Sequence, residues 1–131
     1  MTSLDAYAVS IEAAVAADWP ATDLVRLLAQ AVDDFGRLAD DEAQVAFLAE
    51  PRMTGDATWD AALAAVAVHL CRQAGWSTTP DWTRDAGRYA PDFRWIGLPS
   101  DSTMRAYVFQ RTPAYFQARG IMLDEANLVS V

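Results

Sequence analysis

The sequence predicts an all-α, or nearly all-α, fold: one domain over residues 1–131, a bundle of about five helices with a long ordered aromatic loop. Three observations point that way. Apolar side chains recur at helical spacing in successive stretches. Those stretches are punctuated by proline, glycine and capping residues rather than by hairpin turns. The chain has 131 residues, 53% of them hydrophobic and 21% charged, enough apolar matter for a real core and too much for intrinsic disorder.

Leu4, Tyr7, Ile11 and Val15 share one face, so residues 3–18 read as a first amphipathic helix. Trp19-Pro20 ends it, because proline disfavours helical geometry in the residue before it. Thr22 then caps a second helix whose stripe is Leu24, Leu27, Leu28, Ala31, Val32 and Phe35, with Gly36 near its stop. Asp41, followed three residues later by Gln44, has the capping-box pattern for a short third helix through Val45 and Leu48. Glu50-Pro51 closes that helix, and Met53 to Asp56 read as a loop.

Residues 57–74 form the clearest helix, with Trp59, Leu63, Val66 and Leu70 on one stripe, alanines on most other turns and Gly75 at the cap. So many small side chains let neighbours come close, which places this helix at the centre. From Trp76 to Pro99 the periodicity vanishes, and aromatic residues alternate with Arg84, Arg88, Arg94, Pro80 and Pro91. A connection this long is either functional or packed by its own side chains, and its aromatic content favours an ordered loop. Ser100 or Asp101 caps a helix through Met104, Tyr107, Val108 and Arg111. Thr112-Pro113 starts a short helix that Gly120 ends, Ile121 to Leu123 are extended, and a brief helical turn follows from Asp124 to Leu128.

Charge divides the chain. The net charge is −8, all ten basic residues are arginine, and lysine is absent while alanine occurs 26 times. Residues 1–60 hold twelve acids against three arginines, a net of −9; residues 61–131 hold six against seven, a net of +1. Residues 1–75 are therefore expected to present acidic, alanine-rich helices, and residues 76–131 an aromatic, arginine-bearing loop with C-terminal helices. The overall sign argues against a general nucleic-acid or anionic-membrane binder. Without lysine, Schiff-base chemistry has no side chain to use, although a GC-rich coding bias is the plainer source of this composition. The apolar run from Ala61 to Cys71 is too short to span a bilayer. The N-terminal stretch has no basic region and carries Asp5 and Glu12, unlike a signal peptide. A cytoplasmic protein is expected.

No catalytic, cofactor or metal residue is expected. His69 and Cys71 lie two apart on one helix and so on different faces, which prevents joint chelation. His69 reads as a packed or surface helix residue, its functional alternative being a lone general base. Cys71 sits on the alanine side of the helix and reads as buried rather than reactive. The paired acids Asp33-Asp34 and Asp40-Asp41 read as caps and solvated charge. The functional weight falls on residues 82–119, because Trp, Tyr and Arg are enriched in binding hot spots and arginine forks onto carboxylate or phosphate. Trp82, Arg84, Arg88, Trp95, Arg105, Arg111 and Arg119 are the candidate partner-binding anchors. The competing structural reading has the tryptophans packing the loop onto the bundle and the arginines pairing with the acidic first half.

Three segments then follow in order: Thr54-Gly55-Asp56-Ala57-Thr58-Trp59-Asp60-Ala61-Ala62-Leu63, Pro80-Asp81-Trp82, and Thr112-Pro113-Ala114-Tyr115-Phe116-Gln117-Ala118-Arg119-Gly120-Ile121. Over residues 22–131 the chain resembles a group of small actinobacterial proteins with a TGDxxWDALLA…PxW…SPxxFxxRGI series. In that group the segment often follows or adjoins a helix-turn-helix regulator, and some members sit beside nucleotidyltransferase-like toxin genes. These motifs are not catalytic signatures. The chain has no arginine-rich, glycine-containing helix-turn-helix segment, so the resemblance implies a stand-alone partner-binding part. The implied function is that of a non-enzymatic antitoxin-like or regulatory protein. Its partner would be a protein, such as a nucleotidyltransferase-like toxin or a helix-turn-helix regulator, with no direct nucleic-acid contact. The rival expectation is a small enzyme or binding protein that takes an anionic small molecule in the arginine–aromatic region. A closed pocket of roughly 300 Å³ or more with converging polar groups would favour the rival; a flat or convex arginine–aromatic surface would favour a protein partner.

Overall fold

A computed structural model describes residues 1–96 and 103–129. Its elements run in the order α1 (Leu4–Ala16), α2 (Ala21–Gly36), α3 (Asp41–Phe47), α4 (Ala57–Gln73), β1 (Arg94–Trp95), α5 (Arg105–Arg111), α6 (Ala114–Gln117) and β2 (Ile121–Met122). Single 3-10 turns occupy Asp81–Arg84, Ala86–Arg88 and Glu125–Leu128. The nearly all-α expectation holds.

The bundle is built around α4. Every residue from Trp59 to Cys71 is buried, and five alanines at 61, 62, 64, 65 and 67 are wholly enclosed. Methyl-sized side chains all round this helix let α1, α2, α6, β2 and the two loop turns each pack on it. Against it α1 presents Leu4, Tyr7, Ala8 and Ile11, and α2 presents Leu24, Leu28, Ala31 and Phe35. Phe35 meets Phe47 of α3 edge-on with ring centroids 5.5 Å apart, which ties the short third helix to the second.

The helix ends explain themselves locally, with two corrections to the expected caps. Ser3 caps α1, its hydroxyl accepting the Ala6 amide at 3.1 Å. Thr22 does not cap α2: the preset backbone of Pro20 (φ −58°) starts the helix earlier and leaves Thr22 inside its first turn. Asp40 rather than Asp41 caps α3, its carboxylate accepting the Ala43 amide at 2.8 Å. Asp41 and Glu42 then occupy the first turn, where negative charge suits the helix dipole. At the start of α4, Asp56 accepts the amides of Thr58 and Trp59 at 2.9 and 3.3 Å.

Of the loop after α4, the described part through Ile96 packs on the bundle, while residues 97–99 lie outside the described residues; the described part acquires a partner that no local pattern announced. β1 pairs in parallel with β2, Arg94 opposite Ile121 and Trp95 opposite Met122. Gly120 makes the approach possible. Its φ is +78°, and a Cβ there would meet the Asp92 carbonyl oxygen at 3.0 Å. The extended stretch at Ile121 is thereby explained. Ser100 and Asp101, the expected caps of the next helix, lie outside the described residues; the helix itself is α5.

Candidate functional site

Five arginines lie over aromatic rings: Arg72 over Tyr115 (5.1 Å), Arg88 over Trp82 (4.9 Å), Arg105 over Trp95 (5.0 Å), Arg111 over Tyr107 (5.2 Å) and Arg119 over Tyr89 (4.9 Å). Burial separates structural pairs from accessible ones. Arg88 is 2% exposed; it donates to the Pro51 carbonyl at 2.7 Å and, more weakly, to that of Asp60 at 3.4 Å. Beneath it, the buried Trp82 indole donates to the Leu48 carbonyl at 3.0 Å. Arg119, 5% exposed, donates to the Thr83 carbonyl from Nε (3.2 Å) and Nη2 (2.6 Å), and to the Tyr115 carbonyl from Nη1 (3.0 Å). Burial lowers the pKa of both guanidiniums from their ordinary value. Arginine still stays charged, so each must be answered by carbonyl oxygens.

Trp82, Arg88 and Arg119 are therefore corrected from contact anchors to internal staples. They hold the loop after α4 against Leu48, Pro51, Asp60 and α6. The segment before α4 is fastened the same way, with buried Asp60 accepting from the Thr54 amide (2.7 Å) and hydroxyl (2.8 Å).

The other candidates are accessible. Exposed Arg84 pairs with Asp81 at 2.7 Å and with the Thr79 hydroxyl at 2.6 Å. Exposed Arg111 reaches both Asp124 oxygens from Nε at 3.0 Å. Half-buried Trp95 carries Arg105 on its face. Side-chain ion pairs among the described residues stay within each half: Asp5–Arg52, Asp23–Arg26 and Asp33–Arg37 in the first, Asp81–Arg84 and Asp124–Arg111 in the second. Acidic and basic halves thus do not neutralise each other through the ion pairs that the reading of the arginines as structural expected. Tryptophan packing of the loop, the other part of that reading, is present at Trp82.

Among the concave regions, one of about 390 Å³ lies beside His69, between α2, α4 and the C-terminal turn; two others bring in the aromatic residues of the second half. A groove of about 760 Å³ runs between α2, α5 and the C-terminal 3-10 turn, lined by Val25, Ala29, Ile96, Tyr107, Val108 and Val129 with Thr22, Gln30 and Asn127 among them. A shallower cleft of about 400 Å³ lies at the start of α4, lined by Thr58, Trp59, Phe93, Arg94, Trp95 and Arg105. Sequence reasoning passed over the groove and over Arg94. The available signal was on α5, where Tyr107 and Phe109 stand on different faces of one helix and are 48% and 42% exposed.

His69 is packed, its Nδ1 and the Tyr115 hydroxyl 2.6 Å apart. Burial lowers the His69 pKa and raises those of Tyr115 and of the enclosed Cys71 thiol. At neutral pH the imidazole is uncharged and the thiol protonated, so neither offers an activated nucleophile. No group of three His, Cys, Asp or Glu side chains that could hold a metal ion occurs among the described residues. No described helix is long and apolar enough to cross a membrane.

Fold and sites together define a small, nearly all-α bundle with stapled arginines inside, an open groove of mixed apolar and polar lining (Arg26 and Asp124 included) on one side and an arginine–aromatic cleft on another. Comparison with protein-family models, with curated proteins and with solved structures gives no match for this chain.

Proposed function

We propose that this protein is a non-enzymatic, antitoxin-like or regulatory module that acts by docking another protein along the groove between α2 and α5. One observation carries the reading: Tyr107 and Val129 line that groove while standing 48% and 67% exposed, an apolar and aromatic rim that water does not favour. Aromatic side chains held on a short helix beside a concavity are the usual material of binding hot spots. The net charge of −9 over residues 1–60 supports it, because unneutralised acid steers a basic partner toward the surface. The resemblance of the three sequence segments supplies the partner class, a nucleotidyltransferase-like toxin or a helix-turn-helix regulator.

The test is co-purification from the native host with a tagged wild-type chain and a tagged Tyr107→Glu variant. A protein enriched with the wild type and lost with the variant is the expected result. A chain recovered without an enriched protein, or a partner held equally by both forms, contradicts the reading.

A further inference from the structure

We propose that the cleft at the start of α4 is a binding site for a phosphorylated small molecule bearing a planar ring, of the mononucleotide class, with Arg94 and Arg105 holding the phosphate. The site lies apart from the groove and stands or falls independently of protein docking. Two guanidiniums line one cleft, and the Nε atoms of both are buried without a hydrogen-bond partner. Neither forms an ion pair among the described residues, although Arg84, Arg88, Arg111 and Arg119 are each answered by a carboxylate or a carbonyl. The outer guanidinium nitrogens of both arginines are not enclosed and carry no hydrogen bond or carboxylate among the described residues, so they are open to an anionic acceptor that enters the cleft.

The chemistry of the walls selects the ligand. Arginine's planar fork matches the oxygens of phosphate. Among the described residues Asp56 is the acid of the lining, one carboxylate against two guanidiniums, and it accepts the amides of Thr58 and Trp59. The cleft is therefore locally cationic in a chain of net charge −8. Phe93 stands 64% exposed at the cleft and the Trp95 ring lines it with Arg105 above one face, so a flat ring has aromatic surface to lie against. A volume of about 400 Å³ is within the usual range for small-ligand sites.

The probes are AMP, adenosine and inorganic phosphate, titrated into the isolated full chain and followed by isothermal titration and by the arginine Nε–H resonances. AMP is expected to saturate one site and move the signals of Arg94 and Arg105. Phosphate and adenosine should each bind at least about tenfold more weakly, because either alone uses half the site. Arg94→Gln and Arg105→Gln should each weaken AMP at least about tenfold. Phe93→Ala should weaken it severalfold, and because Phe93 is so exposed the variant keeps the test valid if an arginine variant fails to fold. The proposal is overturned by absence of saturable AMP binding, by AMP and phosphate binding equally, or by AMP affinity unchanged in folded Arg105→Gln and Phe93→Ala.

Discussion

Arg119 grips the carbonyl of Thr83 with two nitrogens at once, Nε at 3.2 Å and Nη2 at 2.6 Å, joining the segment after α6 to the loop that follows α4. Lysine keeps the charge but has no fork to reproduce this geometry. Arg119→Lys should therefore cost about 2 kcal/mol of stability, and Arg119→Ala more, since the Thr83 and Tyr115 carbonyls lose their donors inside the protein. Urea unfolding of both variants checks the order.

Trp82 provides a second staple through its indole N–H on the Leu48 carbonyl. Trp82→Phe keeps most of the packed surface and removes the donor, an expected loss of about 1–2 kcal/mol. Trp82→Ala also opens a cavity and should lose about 3–5 kcal/mol. Equal losses in the two variants would show that the hydrogen bond and not the packing dominates.

Two glycines with the same backbone sign should respond differently. Gly75 has φ +76° with open space about its Cβ position, whereas Gly120 has φ +78° with the Asp92 and Ala90 carbonyl oxygens 3.0 and 3.3 Å from that position. Gly75→Ala carries the left-handed penalty alone, about 1–2 kcal/mol. Gly120→Ala adds a clash with backbone that belongs to the approach to β1, so its denaturation midpoint should fall further.

The buried His69 gives stability a specific pH dependence. Its folded pKa lies below the ordinary 6.5, so between the two values the unfolded chain binds a proton that the folded chain refuses. Its contribution is complete above pH 6.5 and is lost as pH falls from there toward the depressed folded value. His69→Gln should flatten the stability profile as pH falls below 6.5. A separate, more acidic loss comes from Asp5, which the Arg52 guanidinium holds at about 2; its contribution disappears as pH falls from 3.8 toward that value.

The helices were legible because their determinants are local. The stripe on α2, the alanine run of α4 and the glycine after it state their structure within a few residues. Caps were legible only to within one or two positions, since Pro20 and Asp40 take roles that Thr22 and Asp41 could also fill. The β1–β2 pairing was not legible: two residues meet two others 27 positions away in a parallel register, too short a ladder to leave alternation in the sequence. Arg88 and Arg119 misled because charge ordinarily signals surface, and only the fold reveals the carbonyls waiting for them. The groove is assembled from α2, α5 and the C-terminal turn, so no single segment contains its pattern.

Docking along that groove is tested most directly by the affinity of the recovered partner for two purified forms of this protein, wild type and Tyr107→Glu. A carboxylate placed on the exposed aromatic rim should raise Kd at least about tenfold while leaving the unfolding midpoint within error of wild type. Equal Kd values for the two folded proteins would contradict docking at the groove.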